Sequence, residues 1–316
     1  MPPPLPPKIR ALIAMARVMM KLGLMPTPET TINKPHAERL KNKGPGIAYR
    51  PGDPSIRTWD VMVEGRGGPI PVRVYARPDL KAGAPGYLFI HGGGFVDFGL
   101  DFTDHVQRGL AARTGCVVVG LSYRLAPEYP FPAGLEDCQD VLRWMAETQP
   151  QGMDDTRIAV GGESAGGNLA AALCLWARDN DGPRIAHQTI VYPFTDTTLS
   201  SPDLDAGLMP GVDRSTGEFM VRVYAGAEHA NPLVNILHAD HRGLPPALVI
   251  SCEYDPLRTD SIKYAEALKA AGVDTKHRHY DNMPHGYLLF TRLTRTAEES
   301  LDEISSEALR YLDATV

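Results

Sequence analysis

Three short segments of the 316-residue chain carry residues able to do nucleophilic chemistry. Gly162-Glu163-Ser164-Ala165-Gly166 is a GxSxG pentapeptide. A serine on a sharp strand-to-helix turn has a strained backbone, and only small neighbours let strand and helix pass closely enough to expose its Oγ. The helix that such a turn opens also offers amide N–H groups to developing negative charge. His91-Gly92-Gly93-Gly94-Phe95 is the second segment. Three consecutive glycines leave backbone N–H groups unobstructed, so this loop can donate to a tetrahedral oxyanion. A phosphate loop is excluded, because the chain has no GxxxxGK[ST] and the glycine spacing does not match GxGxxG. His91 precedes the serine and reads as a residue that fixes the loop. The third segment is Met283-Pro284-His285-Gly286-Tyr287.

A serine hydroxyl is a weak nucleophile until a histidine accepts its proton and a carboxylate orients that histidine. Asp255 directly follows an apolar run at 247–252, and His285 comes 30 residues later, beyond one helical and one extended pattern. The order Ser164, Asp255, His285 is the chain order of triads on a strand–helix alternating sheet. The competing acid, Asp260, falls in the first turn of a helix, where it complements the dipole. The competing imidazoles, His277 and His279, alternate within an extended run and point to one face.

The elements that must position these residues alternate regularly. Trp59, Val61 and Val63, then Ile70, Val72, Val74 and Ala76, flank a turn at 65–69 and read as an antiparallel hairpin. Short β-rich runs follow at 87–90, 116–122, 157–161, 188–192, 247–252 and 275–280. Helical patterns separate most of them, at about 102–114, 134–148, 165–179 and 258–271, with a last helix at 297–313 opened by a Thr296/Glu299 capping box. Eight strands and at least five helices imply an α/β protein: a largely parallel sheet, helices on both faces, entered through an antiparallel edge. Residues 1–50 and 194–230 do not fit the alternation and are expected over the carboxyl edge of the sheet.

Taken together, HGGGF, GESAGG, YRLAPEYPFPA (123–133), LPPALVISCEYDPL (244–257) and MPHGY resemble the hormone-sensitive-lipase group of α/β-hydrolases, the bacterial family IV esterases. The resemblance runs from about residue 55 to the C-terminus. It implies an α/β-hydrolase fold and hydrolysis of small carboxylic esters of short-to-medium acyl length through an acyl-enzyme, with Ser164 as nucleophile, His285 as base and Asp255 as its partner. It also implies an oxyanion hole of Gly92, Gly93 and Ala165, no cofactor and no metal. Residues 1–50 and 194–230 would be the two parts of a cap, over a catalytic domain of 51–193 and 231–316. A homodimer is compatible with it. This chain departs from the pattern at Glu163, where the family usually has Asp or Thr, and around 224–235, which reads as shortened. A hydrolase-fold acyltransferase or amidase would share the first half-reaction. A non-catalytic small-ligand receptor of the same fold would usually have lost a triad member, and all three are present.

Composition agrees with such a body. Hydrophobic residues at 43% and charged residues at 22% suffice for a large core and exclude wholesale disorder. A net charge of −6 disfavours nucleic acid as a partner. That charge is unevenly spread: residues 1–50 carry +7, the rest −13, and the 194–230 insert −4. The longest apolar run, 169–177, is about half of the ~18 residues a membrane span needs. Ile9, Leu12, Ile13, Ala16, Met19 and Met20 recur at helical spacing, and Arg17 and Lys21 interrupt what would otherwise imitate a signal peptide. That basic amphipathic helix is expected to dock beside the acidic insert, held by its apolar face and oriented by charge. The four cysteines, Cys116, Cys138, Cys174 and Cys252, lack ligand spacing and read as buried thiols of a cytoplasmic protein.

Overall fold

The computed structural model describes residues 2–44 and 46–313. The extended runs become β1 (Arg57–Gly65), β2 (Gly68–Ala76), β3 (Pro85–Ile90), β4 (Val117–Leu121), β5 (Asp154–Glu163), β6 (His187–Val191), β7 (Ala247–Tyr254) and β8 (Thr275–Pro284). They form one sheet in the order β1-β2-β4-β3-β5-β6-β7-β8. β2 alone runs against the others, pairing antiparallel with β1 and β4, and every other neighbouring pair is parallel. The hairpin turn is tighter than the spacing suggested: Gly65 pairs with Gly68, leaving only Arg66 and Gly67 to turn the chain.

Parallel neighbours need crossovers, and helices supply them. In chain order the helices are α1 (Pro7–Lys21), α2 (Pro28–Thr31), α3 (His36–Arg39), α4 (Asp104–Thr114), α5 (Ala133–Thr148), α6 (Ala165–Asp179), α7 (Arg214–Met220), α8 (Arg258–Ala270) and α9 (Thr296–Leu312). Alternation along each strand divides the interior in two. Leu88 and Ile90 of β3 face one core with Leu135 of α5, Leu169 of α6 and Leu268 of α8, while Tyr87 and Phe89 face the other with Leu110 of α4 and Ile304 of α9. Strands covered on both faces read as unbroken apolar runs, and β4 is buried at every position. The capping box expected at α9 does not form. Arg295 occupies the cap position without a side-chain cap bond, and Thr294 Oγ1 instead accepts the Thr296 N–H at 3.2 Å. All four cysteines are buried free thiols. Among the described residues no helix is long and apolar enough to cross a membrane.

The N-terminal segment lies across the second core. α1 buries Ile9 and Ile13 there, Tyr254 Oη donates to the Pro3 carbonyl at 3.1 Å, and Arg17 donates to the Gly207 carbonyl at 2.7 Å. The helix thus meets the 194–230 insert as expected, but not through charge. Among the described residues no cation of 2–50 pairs with a carboxylate of the insert, whose Asp203 and Asp205 pair with Arg258 and Arg214 instead. Arg17 reaches the backbone of a turn, whose carbonyl is neutral, and Asp203 and Asp205 are already held by guanidinium groups. Arg39 is the firmer anchor. Fully buried, it donates to the carbonyls of Val96 and of Ala126 (2.8 Å) and pairs with Glu128.

Candidate active site

Ser164 sits on the turn between β5 and α6 with φ 57° and ψ −121°, a conformation costly for any residue with a Cβ. The surroundings hold it there. Its N–H donates to the Val191 carbonyl at 2.9 Å, and its carbonyl accepts from Asn168 at 3.2 Å. A Cβ at Gly162 would collide with the Gly166 backbone, and one at Gly166 with the carbonyls of Ile90 and His91, so both glycines of the pentapeptide are sterically required.

The predicted partners converge on that serine. Asp255 follows β7 and is fully buried, its carboxylate also accepting the Leu257 N–H at 2.7 Å. His285 follows β8. Its Nδ1–H donates to Asp255 at 2.9 and 3.0 Å, and its Nε2 accepts the Ser164 hydroxyl at 2.9 Å. Burial pulls the imidazole pKa down, but the charge and hydrogen bond of Asp255, with a smaller push from Glu163, leave it raised overall. A carboxylate that fixes the tautomer and a ring nitrogen within reach of a hydroxyl can take a proton from that hydroxyl as it attacks a carbonyl carbon.

The competing residues lie elsewhere. His277 and His279 project to one face, as alternation required, and both contact Ser251 Oγ at 2.8 Å. Asp260 is more than a dipole partner. It is buried, accepts the N–H groups of Thr195 and Asp196 at 3.1 Å each, and so ties the start of the insert to α8. Burial pushes its pKa up to about 7.

The glycine loop differs from expectation at one position. The Gly92 N–H donates to Glu163 Oε1 at 2.6 Å, so this amide is engaged by a carboxylate and is not free for an oxyanion. Among the described residues the N–H groups of Gly93, Gly94 and Ala165 have no acceptor and remain free to donate. Glu163 is buried beneath the loop. Burial lifts its carboxyl to about 7, against the lowering effects of His285 and of the Gly92 hydrogen bond. His91 holds the loop from the other side, its Nδ1–H donating to the Gly92 carbonyl at 2.7 Å and its ring stacked on Tyr123 at 4.4 Å. Burial lowers its pKa to about 4, so it stays neutral.

Above the loop is the insert. A Cβ on Gly94 would strike the Met220 thioether at the end of α7. The chain then makes a π-helical turn, Val221–Ala225, whose Tyr224 stacks on Phe95 at 3.7 Å. A cavity of about 540 Å³ lies elsewhere, between Tyr49, Arg73, His105 and Arg108. Its cations pair with Asp60, Asp101 and Asp104, and none of the predicted catalytic residues lines it.

The sheet order, and a serine turn between β5 and α6 facing the ends of β7 and β8, define an α/β-hydrolase. Comparison with known proteins agrees. The family model of the alpha/beta hydrolase fold matches residues 87–289. The carboxylesterase NlhH of Mycobacterium tuberculosis is 39% identical over 73% of this chain and 75% of its own length. The carboxylic ester hydrolase LipN of the same organism is 31% identical over 98% of this chain and 83% of its own. The hyperthermophilic esterase from the archaeon Pyrobaculum calidifontis superposes with a TM-score of 0.84 at 33% identity, covering 97% of this chain and 98% of that one. The chain belongs to this α/β-hydrolase family, among the esterases that resemble hormone-sensitive lipase.

Proposed function

We propose that the chain hydrolyses small carboxylic esters of short-to-medium acyl length, with Ser164 as nucleophile, His285 as general base and then acid, and Asp255 as its orienting partner. The observation that carries this reading is the hydrogen-bonded line from Asp255 through His285 to Ser164, with both links at 2.9 Å. Ser164 Oγ attacks the ester carbonyl while His285 Nε2 takes its proton. The tetrahedral oxyanion is received by the N–H groups of Gly93, Gly94 and Ala165. The proton passes to the departing alcohol, and water repeats the sequence on the acyl-enzyme. Glu163 acts as a positioning residue, fixing the loop by its bond to Gly92 so that the next two amides face the serine.

Residues 1–50 and 194–230 act as a two-part cap on the body of 51–193 and 231–316. Met220 above Gly94 supports this assignment and also the proposed limit on acyl length, because a thioether packed there shortens the room beyond the oxyanion. The buried thiols fit a cytoplasmic setting. A panel of p-nitrophenyl esters of rising acyl length, run on wild type and Ser164→Ala, tests the reading. Turnover should be highest for the short and middle members and lost in the variant; no turnover of any ester would overturn it. Added alcohols or amines should not divert the acyl group from water, as they would in a transferase.

A further inference from the structure

α1 is amphipathic on two opposite sides. One side buries Ile9 and Ile13 against the body. At about 3.6 residues per turn, Ala11, Met15, Val18 and Leu22 fall in a single stripe on the opposite side. That stripe faces solvent, with Val18 and Leu22 exposed to 56% and 65%, and the chain continues it with Leu24 at 65% and Met25 at 36%. Five of the eight large hydrophobic residues most exposed among the described residues belong to this one short segment, so it is a patch and not scatter.

Charge selects the occupant. Residues 2–28 contain Lys8, Arg10, Arg17 and Lys21 and no acid. On the helical wheel Arg10, Arg17 and Lys21 run along one flank of the stripe and Lys8 along the other. All four are exposed, and among the described residues none is in an ion pair with a carboxylate. A second copy docking through the same face about a two-fold axis would bring four cations against four, which disfavours a homodimer there. An apolar stripe flanked by long basic side chains matches a bilayer interface, where the stripe enters the acyl boundary and the stems extend to headgroup phosphates.

We propose that the outer face of α1, from Ala11 to Met25, is a reversible docking surface for anionic phospholipid membranes. The helix lies in the interface plane, with its inner face still on the enzyme. Because Arg17 also holds the turn at Gly207, the bound bilayer lies beside the insert, and esters dissolved in it are concentrated near the cap.

Sedimentation of the full chain with vesicles tests this without using a substrate, so the outcome is independent of the esterase reading. Each cation near an anionic surface adds roughly fivefold to partitioning. Vesicles of phosphatidylcholine with phosphatidylglycerol should therefore bind the protein at least about tenfold better than phosphatidylcholine alone, and high salt should erase the difference. Val18→Glu/Leu22→Glu should drop to the phosphatidylcholine level while hydrolysing p-nitrophenyl acetate like wild type. Equal binding to both vesicles, or undiminished binding by that variant, would overturn the proposal. So would a wild-type dimer that the variant converts to monomer, since the face would then be an interface between copies.

Discussion

Ser164, Asp255 and His285 stand at the ends of β5, β7 and β8, in a sheet whose central strands are buried on both faces, and their polar atoms find partners within the site. The segments above are built differently. α1 buries two side chains, α2 and α3 are four residues each, and the insert contributes one seven-residue helix followed by a π-helical turn. What holds them is a few long-range polar ties: Arg39 to the carbonyls of Val96 and Ala126, Arg17 to Gly207, Asp260 to Thr195 and Asp196. The proposed catalytic edge is fixed by backbone registration and the proposed cap by individual side chains. Damage to the first should therefore abolish chemistry, and damage to the second should change selectivity or stability while chemistry persists.

The sharpest break falls on the catalytic edge. Ser164→Ala should lower kcat by on the order of 10⁶ with the fold intact, read as ester turnover beside an unchanged thermal midpoint. Asp255→Asn should cost on the order of 10⁴, because the amide cannot hold the imidazole in the required tautomer. A loss of only a few-fold in either would mean that the chemistry lies elsewhere.

Glu163 lies between the two regions in effect. Glu163→Ala frees the Gly92 amide and loosens the loop, so kcat should fall by less than the ~10² to 10³ that loss of an oxyanion donor costs. Glu163→Gln keeps an acceptor for Gly92 but removes a charge that raises the His285 pKa. The proposed mechanism needs neutral His285, whose raised pKa should place the acid limb of kcat/KM above the ordinary histidine value of about 6.5. In Glu163→Gln that limb should move to lower pH while the kcat plateau largely survives. A merely structural role for Glu163 would leave the limb where it is.

The cap should respond more mildly. Arg39→Met removes a buried cation together with its bonds to Ala126 and Glu128, and should lower unfolding free energy by on the order of 3 kcal/mol in urea titrations. Turnover of p-nitrophenyl acetate at low temperature should change only a few-fold. Deleting residues 2–25 should shift acyl-length preference and the thermal midpoint together. Unchanged values would remove α1 from the cap.

The same contrast explains which parts of the molecule are legible in its sequence. Sterics left a readable trace at the catalytic edge: Gly162 and Gly166 must be glycine because carbonyls lie where a Cβ would be, and the order of Ser164, Asp255 and His285 follows from strand order. Sheet and helices were legible because β3 and β4 are apolar on both faces. Gly92 was misjudged because its fate depends on how far the Glu163 carboxylate reaches across 71 positions of sequence, which no local pattern encodes. The opposite charges of the N-terminal segment and the insert suggested ion pairs between them. Asp203 and Asp205 of the insert pair with Arg258 and Arg214, and the contact of Arg17 went to a carbonyl. No local pattern marks Arg39, and only three-dimensional closure buries it completely.

Covalent labelling tests the account most directly. A p-nitrophenyl phosphonate ester should transfer its phosphonyl group stoichiometrically to the enzyme, with release of p-nitrophenol, and peptide mass mapping should place the adduct on Ser164. Ser164→Ala should remain unmodified and inactive. An adduct on any other residue, or ester turnover by Ser164→Ala at the wild-type rate, would contradict the assignment of Ser164 as the nucleophile.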